Sequence, residues 1–383
     1  MVVDPGFRVF VGSVVGGSIS CDLPVSGCSW GMRVNGGGSV EATVRTLSAE
    51  LQGKDLRNLT AKKRQYLAVS YEGRILEAGP IWKRKYNAAK GELKLSAGDL
   101  WSLLDKVKLL NWAQIVAGTP VTRSSIDLTG LELGSIAREM VRAAVFGNPY
   151  NPGLPLVLPD VLATGTNERH YKGYELGYLG DRLKKLTEVE DGPDLAFRPR
   201  FNGADPTRIE WAMTHGTEAS PLLYQGGDDW IWDATVEESG VSSIDVDEDG
   251  TGMADRVWQP GAGSELDMKL ATAQDTTLIT TAGYPWTETD AASKDVEDLG
   301  ILQSYANAAM TAARRPVETW SLNVRADTSP RLGEYEPGDF AQITVPTGHA
   351  LLVPGPRRVR IMAIDGDDTQ TVKLTPAPMP SGV

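Results

Sequence analysis

The stretch from Trp320 to Leu374 constrains the fold of this chain most. It reads TWSLNVRADTSPRLGEYEPGDFAQITVP and then RRVRIMAIDGDDTQTVKLTPAP. Trp320, Leu322 and Val324 alternate with polar neighbours. Ala341, Ile343 and Val345 do the same, followed by Val359 and Ile361. Period-2 alternation buries one face of each segment in a twisted sheet. Tyr335-Glu336-Pro337-Gly338-Asp339 is the turn between two of these strands, and a long helical pattern runs immediately before them. A small barrel or sandwich with no catalytic group is expected here.

The rest of the chain is large enough for more than one such unit. With 383 residues, 41% of them hydrophobic, and roughly 150 residues per domain, two or three domains are expected. A net charge of −12 argues against a nucleic-acid clamp, which needs surplus Lys and Arg for phosphates. No run approaches the roughly 20 apolar residues of a membrane helix. The N-terminal VFVGSVVGG is broken by Gly and Ser and preceded by Asp4 and Arg8, so neither a signal peptide nor a membrane anchor is expected. Cys21 and Cys28 are close enough in sequence for a short disulfide loop in an oxidising compartment. Two thiols in a chain of this size read instead as buried or half-buried.

The first hundred residues have a β texture. Tyr66–Tyr71 and Arg74–Ala78 flank Glu72-Gly73, a two-residue hairpin turn. Ile81–Asn87 and Glu92–Ser96 flank a second turn at 88–91, and a helix capped by Asp99 carries Leu100, Leu103, Leu104 and Val107. Residues 120 to 190 change character. Ile136, Met140, Val141 and Val145 predict one amphipathic helix, and Leu176, Leu179, Leu183 and Leu186 another, separated by a Pro- and Gly-rich loop from Asn148 to Gly165. DLAFRPRF and RIEWAM then read as strands around FNGADPT. Short strands with acidic loops follow from Leu222 to Gly263. A long helix is expected from near Asp295 through Leu299, Leu302, Tyr305, Ala306 and Ala309 to Arg314 and Arg315, ended by Pro316.

Motifs that carry chemistry are weak throughout. Asp245, Asp247 and Asp249 followed by Gly250 resemble the start of a calcium loop, but the twelfth position is Arg256 rather than Glu, so a solvated acidic turn is expected. His170, His215 and His349 are scattered and lie in no nucleophile-elbow or metalloprotease signature. Glu188, Glu190, Asp191 and Asp194 cluster after a helix and read as hydrated loop residues. Asn35-Gly36-Gly37-Gly38 lacks the Lys-Ser/Thr of a phosphate loop and reads as a flexible turn. No catalytic, cofactor-binding or metal site is assigned, and no cofactor.

Charge is distributed unevenly. Residues 54 to 94 hold 11 Lys and Arg against 4 Asp and Glu, a local +7, which leaves −19 elsewhere (−12 minus 7). Asp228 to Asp255 holds ten acidic residues and no Lys or Arg. Two solvated surfaces of opposite sign fit this pattern, and so do basic hairpins of one subunit that meet an acidic surface of a neighbour and steer assembly. Tyr66, Tyr71, Trp82 and Tyr86 interleave with the basic residues as stacking groups for single strands do, but aromatic residues are also ordinary strand residues.

Taken in order, WGMRVNGGGSVEATV, EAGPIWKRKY, LGDRLKKLTEVEDGPDLAFRPRF, RIEWAMTHG, DRVWQPGAG and VETWSLNVRADTSPRLGEYEPGDFAQITV resemble a phage minor tail protein. The resemblance is to the tail-tip (baseplate) hub proteins of long-tailed, non-contractile actinobacteriophages, and it spans essentially the whole chain. It implies a β-rich α+β fold of two small β-barrel domains with an inserted α/β domain and an additional helical element. The expected boundaries are 1–120 with 222–263 for the first barrel, 121–221 for the insertion, 264–317 for the helical element and 318–383 for the second barrel.

The implied role is structural, in the virion at the tail tip after assembly in the host cytoplasm. A homotrimer, pseudo-sixfold through its paired barrels, closes the tail tube and surrounds the channel for the tape measure protein and genome. The distal tail protein and tube lie above it, and receptor-binding or fibre proteins below. DNA passes without specific binding, past a wall to which acidic side chains, some from Asp228–Asp255, contribute. The alternatives are a distal tail or other baseplate protein, a cell-wall-degrading tail enzyme, and an adhesin using Trp230, Trp232 and Trp286. Hub proteins that carry a lytic domain extend further at the C-terminus. This chain stops at Val383, so a lytic role is expected on another polypeptide.

Overall fold

Seven strands occupy the N-terminal hundred residues: β1 (Phe7–Ser13), β2 (Ile19–Asp22), β3 (Val25–Arg33), β4 (Ser39–Arg45), β5 (Gln65–Tyr71), β6 (Arg74–Asn87) and β7 (Glu92–Gly98). The computed structural model describes residues 6–151, 153–160, 162–189, 192–291 and 296–378. Both predicted hairpins form, and β6 serves both as one continuous strand. Its ladder with β5 ends at Tyr66 opposite Pro80, and its ladder with β7 begins at Ile81 opposite Ala97. Glu72 and Gly73 turn the first hairpin with φ of 45° and 82°, the left-handed pair such a turn requires. Helix α1 (Leu56–Leu59) sits in the β4–β5 connection. The helix expected after Asp99 is a single turn, α2 (Trp101–Leu104), with Asp99 Oδ1 accepting from Ser102 N at 3.1 Å. A further short turn, α3 (Trp112–Val116), follows.

The next stretch runs β8 (Ser125–Leu131), α4 (Leu133–Val141), β9 (Leu156–Val157), β10 (Thr164–Lys172), α5 (Leu179–Thr187), β11 (Leu195–Phe201) and β12 (Ile209–His215). Two readings of the sequence differ here. Leu176 is not on α5: it precedes the helix at φ 49° and is largely exposed. Beyond the Pro- and Gly-rich loop lies β10, antiparallel to β8. TGTNERHYK offers no apolar alternation, because neither face of this ribbon is fully buried.

The insertion does not form a core of its own. Ile136, Met140, Leu179, Leu183, Leu195 and Trp211 pack in one cluster with Phe10, Tyr66, Leu100 and Trp101. Tyr66 meets Trp211 edge-on at 6.0 Å, and Trp211 Nε1 donates to the Ala78 carbonyl of β6 at 3.0 Å. An indole buried this fully contributes about 3 kcal/mol of apolar burial, and its N–H is satisfied.

Two compact units result, Met1–Ile244 with Ser321–Val383, and Asp245–Trp320. Completing the first are β13 (Trp230–Asp233), β14 (Val241–Asp249), β18 (Val317–Arg325), β19 (Phe340–Val345), β20 (Gly355–Asp367) and β21 (Thr371–Pro378); β14 and β18 run on past its limits. The ladder order is β14-β18-β21-β20-β3-β4-β7-β6-β5-β1-β2, with β19 also on β20 and β13 on β19. Strand β20 is the junction: Ala363–Asp367 pairs with Arg33–Ser29 of β3, which joins C-terminal and N-terminal strands in one sheet.

The second unit holds β15 (Arg256–Pro260), β16 (Leu270–Gln274), α6 (Thr277–Ala282), β17 (Glu288–Asp290) and α7 (Leu299–Ala313). It is wider than the helical element expected over 264–317, because α7 needs a sheet to cover. Leu302, Ala306, Met310 and Ala313 pack on Val257, Ala271 and Ala273. Leu299 and Tyr305, also on this helix, are exposed. Asp298 caps the helix, its carboxylate accepting from Ile301 N at 2.9 Å, so the start falls past Asp295, which lies outside the described residues.

Candidate functional site

The calcium-like run is strand rather than turn. Asp245, Asp247 and Asp249 fall on β14 with exposed side chains, and alternate positions on a strand spread ligands along one face instead of around an ion. Among the described residues, no three metal-ligating side chains converge. Nor is the wider acidic segment a set of free charges. Asp229 pairs with Arg358 at 2.7 Å, and Asp255 is buried, accepting from Thr287 N at 2.9 Å.

One Ser, Asp and His do meet, on the β8–β10 ribbon. Ser125 Oγ donates to Asp127 Oδ2 at 2.6 Å, and Asp127 Oδ1 lies 2.8 Å from His170 Nδ1. Ser125 and then His170 hold the Asp127 carboxyl down at about 2. The carboxylate stands between hydroxyl and imidazole, so the serine meets a weakly basic carboxylate and not the imidazole that a nucleophilic triad needs. His215 Nδ1 lies 2.8 Å from the Gly216 carbonyl, and His349 Nδ1 accepts from Leu352 N at 3.0 Å. His215 serves its own loop, while His349 Nε2 also lies 3.3 Å from the Ile244 carbonyl of β14.

Two buried carboxyls stand out in the structure: Glu77, which the sequence did not flag, and Asp99, which it flagged only as a helix cap. Burial pushes the Glu77 carboxyl well above the usual range, with Asp99 adding to the rise. Burial likewise raises Asp99, to about 6. Such shifts mark functional candidates, but these groups are built into the sheet. Glu77 Oε1 accepts from Ala78 N at 3.0 Å, and a Cβ on Gly38 would lie 2.4 Å from Glu77 Oε2. Substrate has no room to approach there.

Asp194, in the loop just before β11, is shielded from solvent. Its side chain is 3% exposed and ion-paired with Arg360 of β20, itself 9% exposed. Asn35 Nδ2 donates to Asp194 Oδ1 at 2.6 Å, and Leu223 N to Asp194 Oδ2 at 2.7 Å. Leu195 N donates to Asn35 Oδ1 at 2.7 Å, and Arg360 Nε to the Gly338 carbonyl at 3.0 Å. The Asn35-Gly-Gly-Gly turn, expected to be flexible, is therefore pinned. This knot ties β3–β4, β11, the strap before β13 and β20. Of its former cluster, Glu188 is exposed, while Glu190 and Asp191 lie outside the described residues.

The basic hairpin is divided by side chain. Arg84 is structural: its Nη1 donates to the Arg57 carbonyl at 2.9 Å and to Thr60 Oγ1 at 3.1 Å, closing α1. Lys83 and Lys85 are exposed. Lys85 stands opposite Lys94 in the ladder, and Lys94 takes Glu41 at 2.7 Å. The tryptophans named for adhesion also divide. Trp232 is buried against Tyr335 at 5.1 Å, Trp230 donates to Asp339 at 2.9 Å, and Trp286 is partly exposed beneath Arg256. Cys21 and Cys28 are buried free thiols.

No protein-family model and no curated protein matches the sequence. Solved structures do share its fold. A tail protein from Neisseria meningitidis aligns over 97% of this chain and 96% of its own, with TM-score 0.54 and 14% identity. The 43 kDa tail protein of prophage MuSo2 from Shewanella oneidensis aligns over 97% and 98%, with TM-score 0.59 and 10% identity. The Francisella PdpA–VgrG complex aligns over 97% of this chain and 57% of the other, with TM-score 0.51 and 7% identity. This chain thus has a β-rich α+β fold, shared with two tail proteins over nearly their whole length.

Proposed function

We propose that the chain is a structural component of a phage tail: a trimeric tail-tip hub that closes the tube and surrounds the channel for tape measure and genome. The observation that carries this reading is the two-way coverage of the tail-protein matches, 97% of this chain against 96% and 98% of theirs. In this reading the N-terminal strands β1–β7 and the C-terminal strands β18–β21 supply two similar barrels per copy. Three copies then place six barrels in one pseudo-sixfold ring that meets a sixfold tube. The distal tail protein and tube bind above, and fibre or receptor-binding proteins below. Exposed acidic residues such as Glu237 and Glu238 face the channel, where they repel phosphate and let DNA slide. Native mass spectrometry of the full chain tests the stoichiometry. Three copies of 41.3 kDa, about 124 kDa, are expected; a monomer at all concentrations, or a sixfold ring, refutes the hub.

A further inference from the structure

A cavity of about 340 Å³ opens in the first unit, where the insertion meets the N-terminal strands. Val14 of the β1–β2 turn, Leu104 of α2, Ala144, Val145 and Leu154 wall it, and all five are buried members of the main cluster. Trp82 and Asn151 also line it, but their N–H groups are spent inside the chain. Trp82 Nε1 donates to Ser102 Oγ at 2.8 Å, and Asn151 Nδ2 to the Val145 carbonyl at 2.8 Å. The charged residues on the lining are Lys63 and Lys106, with no Asp or Glu. Both lysines are exposed, which sets them at the open end. Lys106 Nζ lies 5.1 Å from the Trp82 ring centre, and Asp105 acts on it from outside the lining.

Two features of the backbone serve this cavity. Helix α4 runs on as a π-helical turn over Arg142–Phe146, and that wider turn carries Ala144 and Val145; turns of this type recur at functional sites. Lys63 holds φ 64°, a left-handed conformation rare for a residue with a side chain, and its N–H donates to the Ile81 carbonyl at 2.7 Å. An aliphatic interior of this size with a few placed polar groups is the pattern of a small-molecule site. A methylene takes about the room of a water molecule, roughly 30 Å³, so the space suits a chain on the order of ten carbons long. A leucine side chain from a partner, with about four carbons, would leave more than half of the wall without contacts. An anionic head on such a chain would meet two ammoniums at the rim.

We infer that this cavity binds a free medium-chain carboxylate, its chain among Leu104, Val145 and Leu154 and its head between Lys63 and Lys106. The site goes beyond the hub reading and is independent of it, since nothing in it depends on copy number.

Isothermal titration of the full chain with decanoate tests it. Saturation at one per chain below about 1 mM is expected, weakening up to about fourfold for each methylene removed and gaining nothing from dodecanoate to tetradecanoate. Lys63→Gln with Lys106→Gln is expected to weaken decanoate at least about tenfold while changing 1-decanol less than about threefold. Val15→Trp, at a lining residue that is 41% exposed, is expected to block both, and circular dichroism checks that each variant is folded. Titration that never saturates, affinity that keeps rising with chain length, or binding indifferent to the lysine pair or to Val15→Trp overturns the site. N-acetyltryptophanamide binding more tightly than decanoate would make the cavity a socket for a partner's side chain and overturn the carboxylate. So would capture of the chain on phosphatidylglycerol vesicles, blocked by Val15→Trp, with no uptake of free decanoate.

Discussion

Replacing Asp194 by alanine strands three donors at once: the Arg360 guanidinium, the Asn35 amide and the Leu223 N–H. Both charged side chains are nine-tenths or more buried, so solvent screens the pair little. Removing one partner of a buried ion pair costs about 3–5 kcal/mol, most of it from the charge left behind. Arg360→Met leaves the Asp194 carboxylate with two neutral donors and costs a similar amount. The double variant removes both charges, and its loss is expected to be about 4–5 kcal/mol rather than the sum, a coupling of about 2–5 kcal/mol. Urea unfolding of the full chain gives the totals. Amide hydrogen exchange at Leu195 and Leu223 gives the local effect, because these N–H groups donate to Asn35 and Asp194. Single variants each within about 1 kcal/mol of wild type, and additive in the double, would refute the knot as the tie between β11 and β20.

Two further predictions concern the sheet beneath the knot. Gly79→Ala places a Cβ 1.9 Å from the Gly98 carbonyl and 2.7 Å from Asp99 Cα, backbone that has nowhere to go. A loss of about 3 kcal/mol in thermal unfolding is expected, and a variant as stable as wild type sinks the packing argument. Asp99, raised to about 6 by burial, is protonated in the folded chain between its unfolded value near about 4 and pH 6, where the unfolded chain is not. This group therefore favours folding progressively as pH falls from about 7 to about 4, by on the order of 3 kcal/mol. Asp99→Asn keeps an acceptor for Ser102 N and should lack that slope; parallel stability curves for the two proteins would contradict the assignment.

What was legible in the sequence was local. Turn chemistry at Glu72-Gly73 located β5 and β6, and alternation located β11, β12 and β18–β19, because one buried face imposes period 2. Helices α4 and α5 announced themselves by a stripe of Ile, Leu and Met. Strand β10 did not, since its ribbon buries neither face well. Nor did the buried charges. Nothing near Asp194 differs from a hydrated loop, and Arg360 sits among apolar strand residues without a visible partner. Their pairing spans 166 positions, which no window along the chain contains. The Asp245–Asp249 run misled for the opposite reason: carboxylates at i, i+2 and i+4 fit the start of a loop or one face of a strand equally well, and here Val241–Asp249 takes the strand.

A cryo-electron microscopy map of the tail end of particles that carry this chain tests the account most directly. Density of threefold symmetry at the distal end of the tube, fitted by three copies of this chain, is the predicted result. Absence of the chain from the tail, or its presence there as a single copy or a sixfold ring, would contradict it.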